Sequence, residues 1–280
     1  MSGRDDRASA WQLAILAFFV ALAIFPIVVV VVSSFKLPRD IFSYRPIVFF
    51  APSLDNYTDL FRNWPKFTEG LFNSLVVTVA SIALVLAVSL PAAWSYSRLA
   101  RHGGVGKSAI ALFAVKMLPP LVITVPLFPI FSAIGLDDSR TGLVLVYAAI
   151  ELSLSVLLLK TMIDGIPVEL EEAALIDGCG ALAAFWRITL PLLRPGIVTV
   201  AIFVTLFVWN DYLFALVLTT ARSVTAPVVL ADMLSSVGEG RSTWGEVFAA
   251  ATVQLLPVLV FTFVVQRRML QNGTAGGLKG

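Results

Sequence analysis

Along the 280 residues, apolar positions gather into six long runs, near residues 11 to 33, 72 to 97, 109 to 133, 141 to 162, 196 to 218 and 246 to 266, separated by polar or proline-rich connections. Each run approaches the roughly 20 residues that an α-helix needs to cross about 30 Å of hydrocarbon. The pattern predicts an all-α integral membrane protein with six spanning helices. The first run follows Arg4 and Arg7, and its apolar stretch from residue 13 to 32 exceeds a signal-peptide core and lacks a small-x-small cleavage site. It is therefore expected to remain as a span, with segment 1–10 inside the cell.

Composition points the same way. Hydrophobic residues make up 58% of the chain and charged residues 14%, whereas a soluble domain carries about 25% charged residues. The net charge of +2, with no long basic run, gives no reason to expect nucleic acid. Charge instead orients the spans. Arg98, Arg101 and Lys107 crowd the turn between the second and third runs; Lys160, Arg187 and Arg194 flank the connection between the fourth and fifth; Arg267, Arg268 and Lys279 follow the sixth. Cytoplasmic loops carry an excess of Lys and Arg, so these sides and both termini are predicted to be cytoplasmic. The turn holding Asp137, Asp138 and Arg140, and the segment holding Arg222 and Arg241, are predicted to be external. The connection 34–71 carries Lys36, Arg39, Arg45, Arg62 and Lys66 against that trend and is placed outside because the other loops agree. Its aromatics, among them Phe42, Tyr44, Tyr57, Phe61 and Trp64, suit either a cap on the outer face or an interfacial belt.

Soluble-type catalysis finds few ingredients. A single cysteine, Cys179, cannot close an intrachain disulfide, a single histidine, His102, cannot supply a metal site of the usual ligand number, and the place of His102 in a short basic loop leaves no Ser-His-Asp or Cys-His set to propose. Residues 103 to 108 read G-G-V-G-K-S, yet a phosphate loop requires glycine at the position of Arg101 and a preceding strand. No cofactor or metal is expected on this chain.

The connection 163–195 is more informative. Pro167 suits a first helical turn, and Glu169, Glu171 and Glu172 follow where carboxylates favour the positive end of the helix dipole. Gly178 offers a left-handed stop, and a second short helix can run from about 182 to 189 before Pro191 and Pro195 end it. Leu170, Ala173, Ala174 and Asp177 fall at i, i+3, i+4 and i+7, one face on which small alanines allow close approach and Glu172 can pair with a partner's basic residue. A hairpin lying on the membrane is the alternative.

Polar groups inside the runs are costly and stand out. Lys116 sits beside Met117, Leu118, Pro119 and Pro120, whose rings leave carbonyls that are tolerable where they line a cavity. Lys116 either borders a substrate pathway or pairs within the bundle. Asn73, Asn210, Asp211 and Gln254 can hydrogen-bond a polar ligand, although polar glue between helices is the commoner task of such groups.

Glu172-Ala173-Ala174, then Gly178, Ile188, Leu190 and Pro191, fill every fixed position of E-A-A-x3-G-x9-I-x-L-P. The string resembles the cytoplasmic EAA loop of membrane subunits of binding-protein-dependent ABC importers. Trp209, Asn210, Asp211, Ala215 and Leu216 resemble the W-N-[DE]-x-x-x-A-L stretch of maltose-type sugar permeases. Gln266, Arg267, Arg268 and the run 273–280 are similar to the tail of the smaller maltose-type subunit, with one residue fewer between Gly273 and Thr274. The resemblance implies a type I ABC importer transmembrane domain over 11–266, with an external segment 34–71, a cytoplasmic coupling loop 163–195 and a cytoplasmic tail 267–280. It implies a non-catalytic permease subunit of a bacterial inner membrane, passing a sugar, polyol or sugar derivative inward. Its implied partners are a second homologous permease, a dimer of ATP-binding subunits holding ATP and Mg, an extracytoplasmic binding protein and membrane lipid. Glu172, Ala173, Ala174, Asp177 and Gly178 are the implied contacts with the ATPase. The alternative is a permease for another solute, such as a polyamine or oligopeptide. An intramembrane enzyme would show a catalytic dyad or metal ligands in the spans, and a passive channel has no use for the loop.

Overall fold

The computed structural model describes residues 10–44, 47, 49–100 and 116–273. Segment 1–9, Arg45, Pro46, Arg101, His102, the glycine-containing run 103–108, the start of the third apolar run and the tail 274–280 lie outside the described residues. Among the described residues there are helices and turns and no strand. The helices are α1 (Ala10–Ser34), α2 (Pro38–Ile41), α3 (Asp55–Asn63), α4 (Pro65–Ala100), α5 (Pro120–Ala133), α6 (Arg140–Asp164), α7 (Glu169–Ile176), α8 (Ala181–Leu192), α9 (Arg194–Asn210), α10 (Leu213–Leu218), α11 (Ala226–Val237) and α12 (Trp244–Gly273).

Four helical stretches are long and apolar enough to cross a membrane unbroken: Trp11–Ser34, Pro65–Arg98, Arg140–Asp164 and Trp244–Phe261. The other two apolar runs are interrupted. The third breaks at 117–119 before α5 resumes at Pro120. The fifth, expected to be continuous over 196–218, divides into α9 and α10 because Asp211 takes an extended backbone and its Oδ2 accepts the amides of Phe214 (3.1 Å) and Ala215 (3.3 Å), starting a new helix. Two further departures concern lengths. The second helix begins at Pro65, inside the segment expected to be external, since proline's missing N–H costs nothing in a first turn. The second helix of the 163–195 connection runs past Pro191 to Leu192, with a π-helical turn at Phe185–Thr189 just ahead of the proline and a 72° bend to α9 after it. The apolar helix α11 lies in a segment read from sequence only as a polar connection.

The chain divides into two compact units, one of Met1–Phe67 with Leu230–Leu255, the other of Thr68–Val229 with Leu256–Gly280. In the first, Asn56 donates to the carbonyls of Ser34 (2.8 Å) and Lys36 (2.7 Å), closing the C-terminus of α1, while Ser34 Oγ and Tyr57 Oη lie 2.7 Å apart. Asn63 donates to Glu246 Oε1 at 2.7 Å, and Glu246 Oε2 accepts the Thr243 amide at 2.7 Å while Thr243 Oγ1 accepts the Glu246 amide, a reciprocal cap on α12. Gly245 is required there, because a Cβ would stand 2.1 Å from Asn56 Oδ1. Of the aromatics in 34–71, Phe42 packs edge-on against Trp244, whereas Tyr44 and Phe49 are exposed. The apolar residues of α1 from Trp11 to Val29 are exposed all round, as suits a helix whose surroundings are lipid or another chain.

The second unit is built around α6, whose Leu143, Val146, Tyr147, Val156 and Leu159 are buried against Val200, Val204 and Val208 of α9 and Phe214 and Leu218 of α10. Small hydroxyl residues, Ser81, Ser89, Ser153 and Ser155, share that interior, where their size lets backbones approach.

The turn between α5 and α6 carries a second organising carboxylate. Asp138 adopts φ +44°, a region that Asp tolerates better than most residues. Its two oxygens accept the backbone amides of Thr220, Ala221, Arg222 and Ser223 at 2.9 to 3.2 Å, and its own amide donates to Leu218 O. Burial raises this carboxyl's pKa, but the four amides more than reverse that and hold it well below the ordinary carboxylate range. Folding lowers this pKa, so the stabilisation is present above about pH 4 and is lost as pH falls toward the folded value. Asp138→Ala is expected to cost about 1–2 kcal/mol, a figure reduced for the carboxylate's partial solvation. In detergent, melting temperature against pH should show a loss below about pH 4 in the wild type that is smaller in Asp138→Asn.

Candidate functional site

In the 163–195 connection a polar helix carries two opposed faces. Turning inward, Glu171 is buried and accepts hydrogen bonds from Arg98 Nε (3.1 Å) and Nη2 (2.5 Å), Trp94 Nε1 (3.2 Å) and Thr189 Oγ1 (2.6 Å). Trp94 and Arg98 come from the last turns of α4 and Thr189 from α8, so one carboxylate joins three elements. Burial raises the pKa of Glu171, and the bonds from Arg98, Thr189 and Trp94 outweigh it, leaving the carboxyl below its ordinary value. Beside it, Ser97 Oγ donates to Asp164 Oδ1 at 2.5 Å, and Asp164 also receives Lys160 at 2.6 Å. Trp94 and Phe185 pack at an interplanar tilt of 47° with ring centroids 5.3 Å apart.

Outward, the same helix is unpartnered. Leu170, Glu172, Ala173 and Asp177 are exposed and Ala174 is half-buried. Ile176 is 86% exposed, Leu182 66% and Trp186 58%, the most exposed of the apolar groups on the connection. The helix ends as expected from the sequence. Gly178 has φ +87°, its amide donates to Leu175 O (3.1 Å) and the Cys179 amide to Ala174 O (2.9 Å), the paired bonds of a Schellman termination. The pairing of Arg98 with Glu171 was not read from the sequence, which placed Arg98 among the basic residues of a cytoplasmic turn and weighed Glu172 as the contact; the signal available was the run of glutamates on a helix whose two faces differ by one residue.

The polar residues singled out inside the spans are mostly committed to the protein. Lys116 Nζ donates to Glu151, which is 1% exposed, and stands 4.9 Å over the centroid of the Phe207 ring. Lys116 thus has an ion-pair partner within the bundle. Asn73 donates to the carbonyls of Arg222 (3.1 Å) and Val224 (2.8 Å) and accepts Arg140 Nε at 2.7 Å, which makes it a connector between helices and loop. Asp211 accepts Tyr147 Oη at 2.8 Å in addition to capping α10. Asn210 is exposed and donates back to Leu206 O at 2.8 Å. Pro119 and Pro120 cap and begin α5. Gln254 is half-buried on α12, in the first unit. Glu151 and Tyr147 were missed, although an acid in the middle of an apolar run is the same signal that picked out Lys116.

Residues 100–271 match the family described as binding-protein-dependent transport system inner membrane component. The chain is 34% identical to the trehalose transport system permease protein SugB of Mycobacterium tuberculosis over 98% of both chains. Its fold is similar to a chain of a bacterial ABC transporter involved in the import of the acidic polysaccharide alginate, with a TM-score of 0.78 and 22% identity over 95% of this chain and 98% of that one. A second solved structure, of the alginate transporter in complex with an alginate pentasaccharide-bound periplasmic protein, matches with a TM-score of 0.60 and 17% identity over 91% of each chain.

Two outcomes are expected from this geometry. Lys116→Met leaves Glu151 buried without its cation and is expected to destabilise the protein by about 3–5 kcal/mol, with recovery in the double variant Lys116→Met/Glu151→Met. Melting temperatures in detergent compare the three proteins. Gly178→Val places a β-branched side chain at positive φ and should cost about 1–3 kcal/mol locally, seen as faster limited proteolysis within 163–195. Gly180→Ala, at φ −73° with open space around its Cβ, should leave proteolysis unchanged.

Proposed function

The chain belongs to the family of binding-protein-dependent transport system inner membrane components, and on that premise we propose that it is one permease subunit of an ATP-driven importer for a sugar, polyol or sugar derivative. ATP and Mg are held by a separate pair of ATP-binding subunits that dock on the connection between α6 and α9. The observation that carries this reading is the outward face of α7 and α8. Ile176, Leu182 and Trp186 are exposed on a helix–glycine–helix connection that is rigidly held from behind, an arrangement suited to burial by another protein. Ala173 and Ala174 keep the backbone approachable, and Glu172 and Asp177 offer acids to a basic partner surface.

The same reading takes both termini and this connection as cytoplasmic, in line with the basic short loops, and the 219–225 loop as external. A second homologous permease completes the pathway, and an extracytoplasmic binding protein delivers the solute. The sugar class is supported by the trehalose permease among the relatives and the alginate importer among the similar folds. Of the candidate pathway residues, Asn73, Lys116 and Asp211 are also bonded within the protein.

The test is docking. Ile176→Glu puts a charge into the face to be buried and is expected to lower the ATP-binding subunit that co-purifies by at least about tenfold, equivalent to roughly 1.4 kcal/mol, with the membrane level of the permease unchanged. Uptake of radiolabelled disaccharide should fall in parallel, while labelled spermidine or tripeptide should not be taken up by the wild type. Retention of the ATP-binding subunit at wild-type level would remove the docking assignment.

A further inference from the structure

One helix, α4, bonds to the buried side of α7 near one end and to the 219–226 loop toward the other. Near its C-terminus α4 supplies Trp94, Ser97 and Arg98 to Glu171 and Asp164. Near the start of its part in the second unit, the same helix supplies Asn73 to the carbonyls of Arg222 and Val224, and Ser74 Oγ accepts the Ala226 amide at 3.0 Å. The loop 219–226 is thereby gripped by α4 on one side and by the Asp138 carboxylate on the other. From Asn73 to Arg98 the helix rises about 37 Å at about 1.5 Å per residue, the thickness of a membrane with part of its headgroup layers.

We propose that α4 is a transmission strut, with Glu171 as the positioning residue that latches it to the docking connection and Asn73 as the residue that latches it to the 219–226 loop. This rests on the reading of the 163–195 connection as the ATPase dock. Both ends of the helix are fastened by side-chain hydrogen bonds, and its run between them is continuous in helix apart from the missing amide of Pro91. Glu171 is the stronger fastening: an ionised carboxylate, withdrawn from water, with a guanidinium, an indole N–H and a hydroxyl from two elements all directed at it. Displacement of α7 along the membrane normal must therefore move α4, break these bonds, or leave a buried charge unpaired. The same holds in reverse for a displacement of the 219–226 loop, where Asn73 uses its amide nitrogen on two carbonyls and its oxygen on Arg140. Glu171 faces away from the docking surface, so its role is separable from that of Ile176.

The experiment uses the complete importer in proteoliposomes and reads three quantities: retention of the ATP-binding subunit, basal ATP hydrolysis, and the ratio of hydrolysis with and without the sugar-loaded binding protein. Glu171→Gln keeps the shape but removes the charge. It is expected to retain the ATP-binding subunit and a basal rate within about twofold of wild type, and to lower the stimulation ratio about tenfold, as the loss of a charged hydrogen-bonded anchor implies. Asn73→Ala, at the other end, should lower the same ratio. The double variant should be no worse than the more affected single one, because a strut released at either end no longer transmits. An unchanged ratio in Glu171→Gln overturns the proposal. So do effects of the two variants that multiply, or loss of the ATP-binding subunit, which would make Glu171 a shaper of the docking surface. If Glu171→Gln does not accumulate, Arg98→Lys and Trp94→Phe each remove part of the latch, and a normal ratio in both overturns it equally. Failure of the docking reading itself is seen separately, as retained ATP-binding subunit in Ile176→Glu.

Discussion

A polar group taken out of water into hydrocarbon must be satisfied by the protein itself, and most of what distinguishes this structure follows from that constraint. The interior ions do not stand alone. Lys116 is paired with Glu151 and covered by Phe207, and the Asp211 carboxylate is met by Tyr147 and two backbone amides. These contacts also explain why the third and fifth apolar runs are not simple rods. Breaking α9 at Asp211 frees backbone groups, and the same aspartate that causes the break caps the helix that follows. The cost of an interruption is thus met by the residue that makes it.

Two carboxylates outside the spans use the same chemistry to hold loops. Asp138 gathers four consecutive amides of the 220–223 turn, and Glu171 gathers donors from α4 and α8. Each is kept ionised by its donors despite burial. A connection held this firmly from behind can leave Ile176, Leu182 and Trp186 exposed without collapsing onto them. That is the physical basis for reading the connection as a surface prepared for another protein.

The helix–glycine–helix character of 163–195 was legible because it depends on local chemistry: glutamates in a first turn and a glycine at the one position with positive φ. The break at Pro119-Pro120 was legible for the same reason. What holds the inner side of α7 was not. Glu171 and Glu172 are neighbours of identical type, and only the arrival of Arg98, far away in the chain, decides which is buried. The extent of α8 past Pro191 was likewise hidden, since it involves a π-helical turn that no residue spacing announces.

By itself the sequence determined the class of environment, the number and approximate place of the apolar runs, and the position of the loop whose string the family shares, because hydrophobic period, glycine and proline act over a few residues at a time. The tertiary structure alone decided which polar groups are engaged. Lys116 read equally well as a pathway group or an internal partner, and Asn73 and Asp211 read more readily as glue between helices, but the partners themselves, Glu151, Arg222 and Tyr147, are set only by the fold. The physical reason is that a buried polar group's role is set by the nearest complementary atom, and in this fold that atom lies tens of residues away along the chain.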